Sequence, residues 1–135
     1  YISLINNKIA CGLLFVYIDF FGIRNTKDGF VIYSLGNFMS GQNADHTRQS
    51  VILDIKLTKK GNDGSISIDS VEYTPIYMYN FYTAKSAHKF KIMDIEQEIS
   101  KYEVGDTAIG SSLYNTLKKE LQEVYSIVGP EIKEN

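Results

Sequence analysis

The 135-residue chain has one cysteine, Cys11, so no internal disulfide can form within it, and its redox compartment is left open. It has two histidines, His46 and His88, in neither a His-x-His nor a His-Glu-x-x-His spacing. That pair alone is no metal-ligand set. Basic residues nowhere form a block, and the net charge is −2. Nucleic acid is therefore excluded as the main partner, because phosphate backbones call for clustered Lys and Arg. No apolar run reaches the 20 residues of a full membrane span without a charge. The longest, Ile9–Ile23, is broken by Asp19, which inside a span costs about 2.5–3.5 kcal/mol. The run follows Lys8 and has no small-residue cleavage site after it, so it reads either as a signal or anchor segment or as a buried strand or helix. Also missing are a Gly-x-x-x-x-Gly-Lys phosphate loop, a Gly-x-Gly-x-x-Gly turn, a Cys-x-x-Cys pair and a Gly-x-Ser-x-Gly elbow. Internal repeats and low-complexity linkers are absent too.

What is present is an ordinary globular composition, 44% hydrophobic and 22% charged, at the size of one domain. Phe30–Leu35 is aromatic and β-branched and reads as a strand. Asn25–Gly29 before it reads as a turn, with Asp28-Gly29 favouring a hairpin. The strand ends in Ser34, Gly36 and Asn37, residues that tolerate tight backbone. They bring a hydroxyl and an amide to a sheet edge. The polar loop 36–49 is long for a simple connection, and such loops commonly carry binding residues. In it, Asp45, His46 and Arg48 offer an anion-binding group, Arg48 being the fork for a carboxylate or phosphate. The Asn37 amide suits a hard metal or an oriented water, and suits a turn equally well.

Ser50–Thr58 alternates as a strand, with Ile52 suggesting burial on both faces. The loop Lys59–Gly64 turns it back into Ser65–Thr74. There Ile66 and Ile68 face one way and Val71 and Tyr73 the other, which predicts a bulge near Asp69-Ser70. Pro75 cannot donate to a ladder, so the strand is expected to end there or lie on an edge. Ile76–Phe81 is a short further extended segment, and Phe90–Ile95 is ambiguous. Asp94–Tyr102 has helical composition. Leu113, Leu117, Leu121, Val124 and Val128 form one stripe of a helix from about Ser112 to Val128, capped by Ser111 and stopped by Gly129-Pro130. Cys11 lies in an apolar run and reads as inert packing.

The words Gly29-Phe30-Val31-Ile32-Tyr33-Ser34-Leu35-Gly36-Asn37-Phe38, with Gln42, Arg48, the strand Val51–Leu57 and Pro75, resemble the late motif of the CapA family. These are poly-γ-glutamate capsule synthesis proteins, similar in fold to metallophosphoesterases. The likeness covers about Arg24 to Ile76. It implies an α/β metallophosphoesterase-like sandwich. This fragment would supply an α+β part: a partial, mostly antiparallel sheet with a C-terminal helical segment. The family's Gly-His-x-Pro-His-type ligand motif and its earlier Asp, Asn and His motifs are not found. The resemblance therefore implies a C-terminal portion, residues 24–135, behind an atypical stretch, residues 1–23, from a truncated or frameshifted reading of the gene. A divalent metal is expected for the full-length parent, but no metal ligand and no catalytic residue is assignable here. Ser34, Gly36, Asn37, His46 and Arg48 are the candidate substrate-binding residues. The implied setting is capsule biosynthesis at a bacterial surface, with an anionic polymer or the synthesis machinery as partner. The alternative is a non-catalytic binding or assembly module presenting Tyr77, Tyr79, Phe81 and Tyr82, with self-association through open strand edges.

Overall fold

The fold is α+β. The computed structural model describes residues 2–5, 8–11, 23–26, 29–32, 37–42, 44, 46–60, 65–82 and 87–129. Of the candidate residues, Ser34 and Gly36 lie outside that set, as do Asp45 and 12–22 of the apolar run.

Two antiparallel sheets form. The first has four short strands, β1 (Ile2–Ile5), β2 (Lys8–Cys11), β3 (Ile23–Thr26) and β4 (Gly29–Ile32), in the order β2-β1-β4-β3. Ile9–Cys11 of the apolar run are thus strand. The expected turn at Asn25–Gly29 is narrower than the sequence suggests. Asn25 and Thr26 already belong to β3, and Thr26 stands opposite Gly29.

The second sheet has the order β5-β6-β7, from β5 (Gln49–Lys60), β6 (Ser65–Tyr82) and β7 (His88–Asp94). β6 is the long member. β5 pairs with its residues up to Tyr77, and β7 pairs only from Ile76 onward. The bulge falls where the sequence places it. Lys56 faces Ser70 and Leu57 faces Ile68, so Asp69 is the extra residue. Ile68, Val71 and Tyr73 thereby all pack with Val51 and Val124. Pro75 does not end the strand, but it does lie on an edge, the second of the two expected placements. It is buried opposite Val51, one residue before β7 joins, where β6 still has only one neighbouring strand. Ile52, expected to be partly buried, is 46% exposed. Burial on its face of the sheet comes instead at Ser50, Ile76 and Met78.

Two helices follow. α1 (Ile95–Glu103) starts at Asp94, whose carboxylate accepts from Gln97 N at 2.9 Å. Glu96 and Glu98 sit in its first turn and Lys101 in its last, the favourable order for the helix dipole. α2 (Ser111–Val128) ends at Gly129, whose φ of 90° suits glycine. Ser111, expected as the cap, is the first helical residue, and Gly110 is the N-cap with no capping side chain. The leucine stripe packs as its spacing requires: Leu117 and Val124 are fully buried, and Leu113, Leu121 and Val128 partly so. The main core joins Tyr77 and Met93 of the sheet to Ile95, Ile99, Ile109 and Leu117. No helix among the described residues is long and apolar enough to cross a membrane.

Candidate ligand-binding site

Period two along β6 puts Tyr77, Tyr79 and Phe81 on one face of the hairpin and Tyr82 on the other. The ladder then sets Tyr77 opposite Met93, Tyr79 opposite Lys91 and Phe81 opposite Lys89. Facing residues of an antiparallel pair have Cβ atoms about 5 Å apart, so each ring has its partner at its side. Above this face lie the connection between the helices and the first turns of α2. Between them is a cleft of about 500 Å³. Its floor is apolar, built from Met93, Ile109 and the 4%-exposed Tyr77. Tyr79 and Phe81, with rings stacked at 5.5 Å and 17°, form one wall. Gly110, Ser112, Leu113 and Thr116 form the other.

Two cations reach the cleft, Arg48 and Lys91, and no described lining residue is acidic. Arg48 Nη1 donates to Tyr77 OH at 3.2 Å, which holds the guanidinium against the floor. Lys91 Nζ is 4.0 Å from Glu98 Oε1, a loose pair between an exposed ammonium and a largely buried carboxylate. α2 enters with no acidic residue in its first turn, so its positive end adds to the same potential.

Loop 37–48 carries the candidate residues, and the structure separates them. The Asn37 amide is engaged within the loop, donating to Gln42 Oε1 at 2.7 Å and to Thr47 O at 3.3 Å. Asn37 therefore ties the loop, the turn role its residue type allowed. His46, in the left-handed region at φ 64°, places Nδ1 against Glu123 of α2. Ser40 N donates to Met78 Sδ, and Arg48 O accepts from Met78 N at 2.8 Å. Of the described candidates only Arg48 lines the cleft. Lys91, Tyr79 and Phe81 complete it. Their signal was the shared period-two spacing of 77-79-81 and 89-91, which becomes a site only once the β6–β7 register is known.

The four aromatic residues do not form one surface. Tyr77 belongs to the core, whereas Tyr82 is 72% exposed on the opposite face. There it stacks on His88 at 4.7 Å, and His88 in turn meets Phe90 at 4.5 Å. Among the described residues, no group of three His, Cys, Asp or Glu side chains is placed to hold a metal ion. No family model matches the chain, and no curated protein or solved structure matches it.

Proposed function

We propose that the chain is a binding module that holds an anionic ligand in the cleft between the β6–β7 face and the start of α2. The observation that carries this reading is that Arg48 and Lys91 both line a cleft with an apolar floor, and that no described lining residue is acidic, Glu98 lying beside Lys91 but outside that lining. A guanidinium fixed by Tyr77 OH is ordered before the ligand arrives, which lowers the entropy lost on binding. In the wider setting that the resemblance supplies, the module is the C-terminal portion of a CapA-like capsule biosynthesis protein. Its parent would share the metallophosphoesterase-like sandwich and act at a bacterial surface, and the γ-linked glutamate polymer of that setting is one anion to be tested against the cleft.

Calorimetric titration of the chain with inorganic phosphate and with a γ-linked glutamate oligomer tests this. Binding should weaken with salt, survive EDTA, and fall about tenfold or more in Arg48→Ala, the loss expected for a charged hydrogen bond. The chain alone should show no metal-dependent phosphoesterase activity. Manganese- or zinc-dependent turnover that disappears in Asn37→Ala would replace the binding reading with a catalytic one.

A second reading rests on the exposed Tyr82–His88–Phe90 stack, which suits an assembly surface. Sedimentation that is monomeric at all concentrations, and equal in Tyr82→Ser, counts against it.

A further inference from the structure

Building on the anion-binding reading above, we infer that the ligand of this cleft joins its negative group to a flat apolar body about one ring in size. It is a ring-bearing organic anion and not a bare oxyanion or a hydrophilic polyanion.

The volume and the lining carry the inference together. About 500 Å³ is several times what a single oxyanion fills, and it falls within the range of small-molecule sites. Such sites pair an apolar lining with a few fixed polar groups that set orientation. Here the charged groups are Arg48 and Lys91, Ser112 and Thr116 add hydroxyls on the α2 side, and the rest of the sheet side is ring or thioether: Tyr77, Tyr79, Phe81 and Met93. Tyr79 and Phe81 are only partly buried and both line the cleft. A small anion on Arg48 would leave their exposed surface wet. A chain of carboxylates would set charges against it. A ring covers it and gains the favourable geometry of aromatic pairs. The register places the charge beside the wall: Lys91 stands opposite Tyr79, and Arg48 is held on the hydroxyl of Tyr77, two residues along the same face. A ligand whose anion is bonded directly to its ring fits that adjacency.

The test titrates the full chain with four probes: inorganic phosphate, phenyl phosphate, benzoate and a γ-linked glutamate trimer. Phenyl phosphate should bind about tenfold or more tighter than inorganic phosphate. Phe81→Ala should remove most of that advantage, weakening phenyl phosphate by a larger factor than inorganic phosphate, whereas Arg48→Ala should weaken both by a similar factor. If Phe81→Ala fails to fold, Phe81→Leu keeps the bulk, removes the ring and should lose part of the advantage. Benzoate binding that depends on both Arg48 and Phe81 extends the class to carboxylates. Weak binding of benzoate beside tight phenyl phosphate narrows it to phosphates, and either result supports the ring. Equal affinity for phenyl phosphate and inorganic phosphate, or tighter binding of the glutamate trimer, overturns the ring inference and leaves the anion site standing. Failure of all four probes overturns both.

Discussion

Gln49 is 1% exposed, and neither its amide nitrogen nor its amide oxygen has a hydrogen-bond partner among the described residues. It stands opposite Tyr77 in the ladder, on the face that α2 covers. An unbonded buried polar group is destabilising by about 1–3 kcal/mol, whereas an apolar residue of similar shape carries no such penalty. Gln49→Met should therefore raise stability by about 1 kcal/mol or more in urea denaturation. A loss of stability instead would mean that the amide is bonded in solution. Tyr125 gives a residue-level prediction in pH. Burial, then its hydrogen bond to Glu96, hold its phenol well above the usual 10.0, and burial also raises Tyr73. A raised folded value means that the native state keeps its proton longer than the unfolded chain does. The resulting stability is complete below pH 10 and is lost as pH climbs beyond it. Tyr125→Phe should flatten the alkaline limb of the stability profile, and an unchanged slope above pH 10 would refute the assignment. The site is legible in the sequence only in part at this scale. Arg48 could be read as an anion fork from its chemistry and its loop. Asn37 could not be resolved, because an amide serves a turn and a ligand equally well, and only its bonds to Gln42 and Thr47 show that its nitrogen serves the loop.

Elements whose signal lies within their own residues were readable. The stripe Leu113–Val128 is α2, and the phase change around Asp69 is a bulge, because periodicity and pleat are local properties. Pro75 was readable in part: its missing donor calls for an edge, which it has, but that the strand continues through it depends on where β7 begins, at Ile76 opposite Asp94. The cleft was hidden for the same reason. Lys91 meets Tyr79 through a pairing that no local pattern encodes. The start of α2 couples stability to binding in a way that one substitution can separate. Gly110 caps the helix without a side chain, at φ −74° and ψ 161°, where any residue fits, and a Cβ there meets nothing within 4 Å. Gly110→Asp should supply the missing cap and stabilise by a few tenths of a kcal/mol. It should also set a carboxylate on the cleft wall and abolish binding of inorganic phosphate. Improved stability with phosphate affinity intact would show that the anion does not sit near this helix end.

At the scale of the whole molecule, the two sheets share no strand, and they differ in what supports them. The β5-β6-β7 sheet packs α1 and α2 against it, and its core runs from Val51 to Leu117 and Val124. In the first sheet each strand is four residues long, and the middle pair, β1 and β4, joins residues far apart in sequence through Ile2 with Ile32 and Ser3 with Val31. Two-stranded hairpins are marginal in water by themselves, so the β1–β4 ladder is what turns two weak hairpins into one sheet. Ser3, like Ile2, is paired on both sides, with Ala10 on one and Val31 on the other. Proline there removes a ladder donor from an inner strand, where proline is not accommodated. Ser3→Pro should therefore erase amide-exchange protection in β1 through β4. The described lining of the cleft comes from Arg48, β6, β7, the connection between the helices and α2, and the loop bearing Arg48 is fastened to Met78 and Glu123. Protection in β5–β7 and α2, and the affinity for phosphate, should thus survive the substitution. Loss of protection in both sheets together would show instead that they fold as one unit, and that the anion site depends on strands that contribute no residue to it.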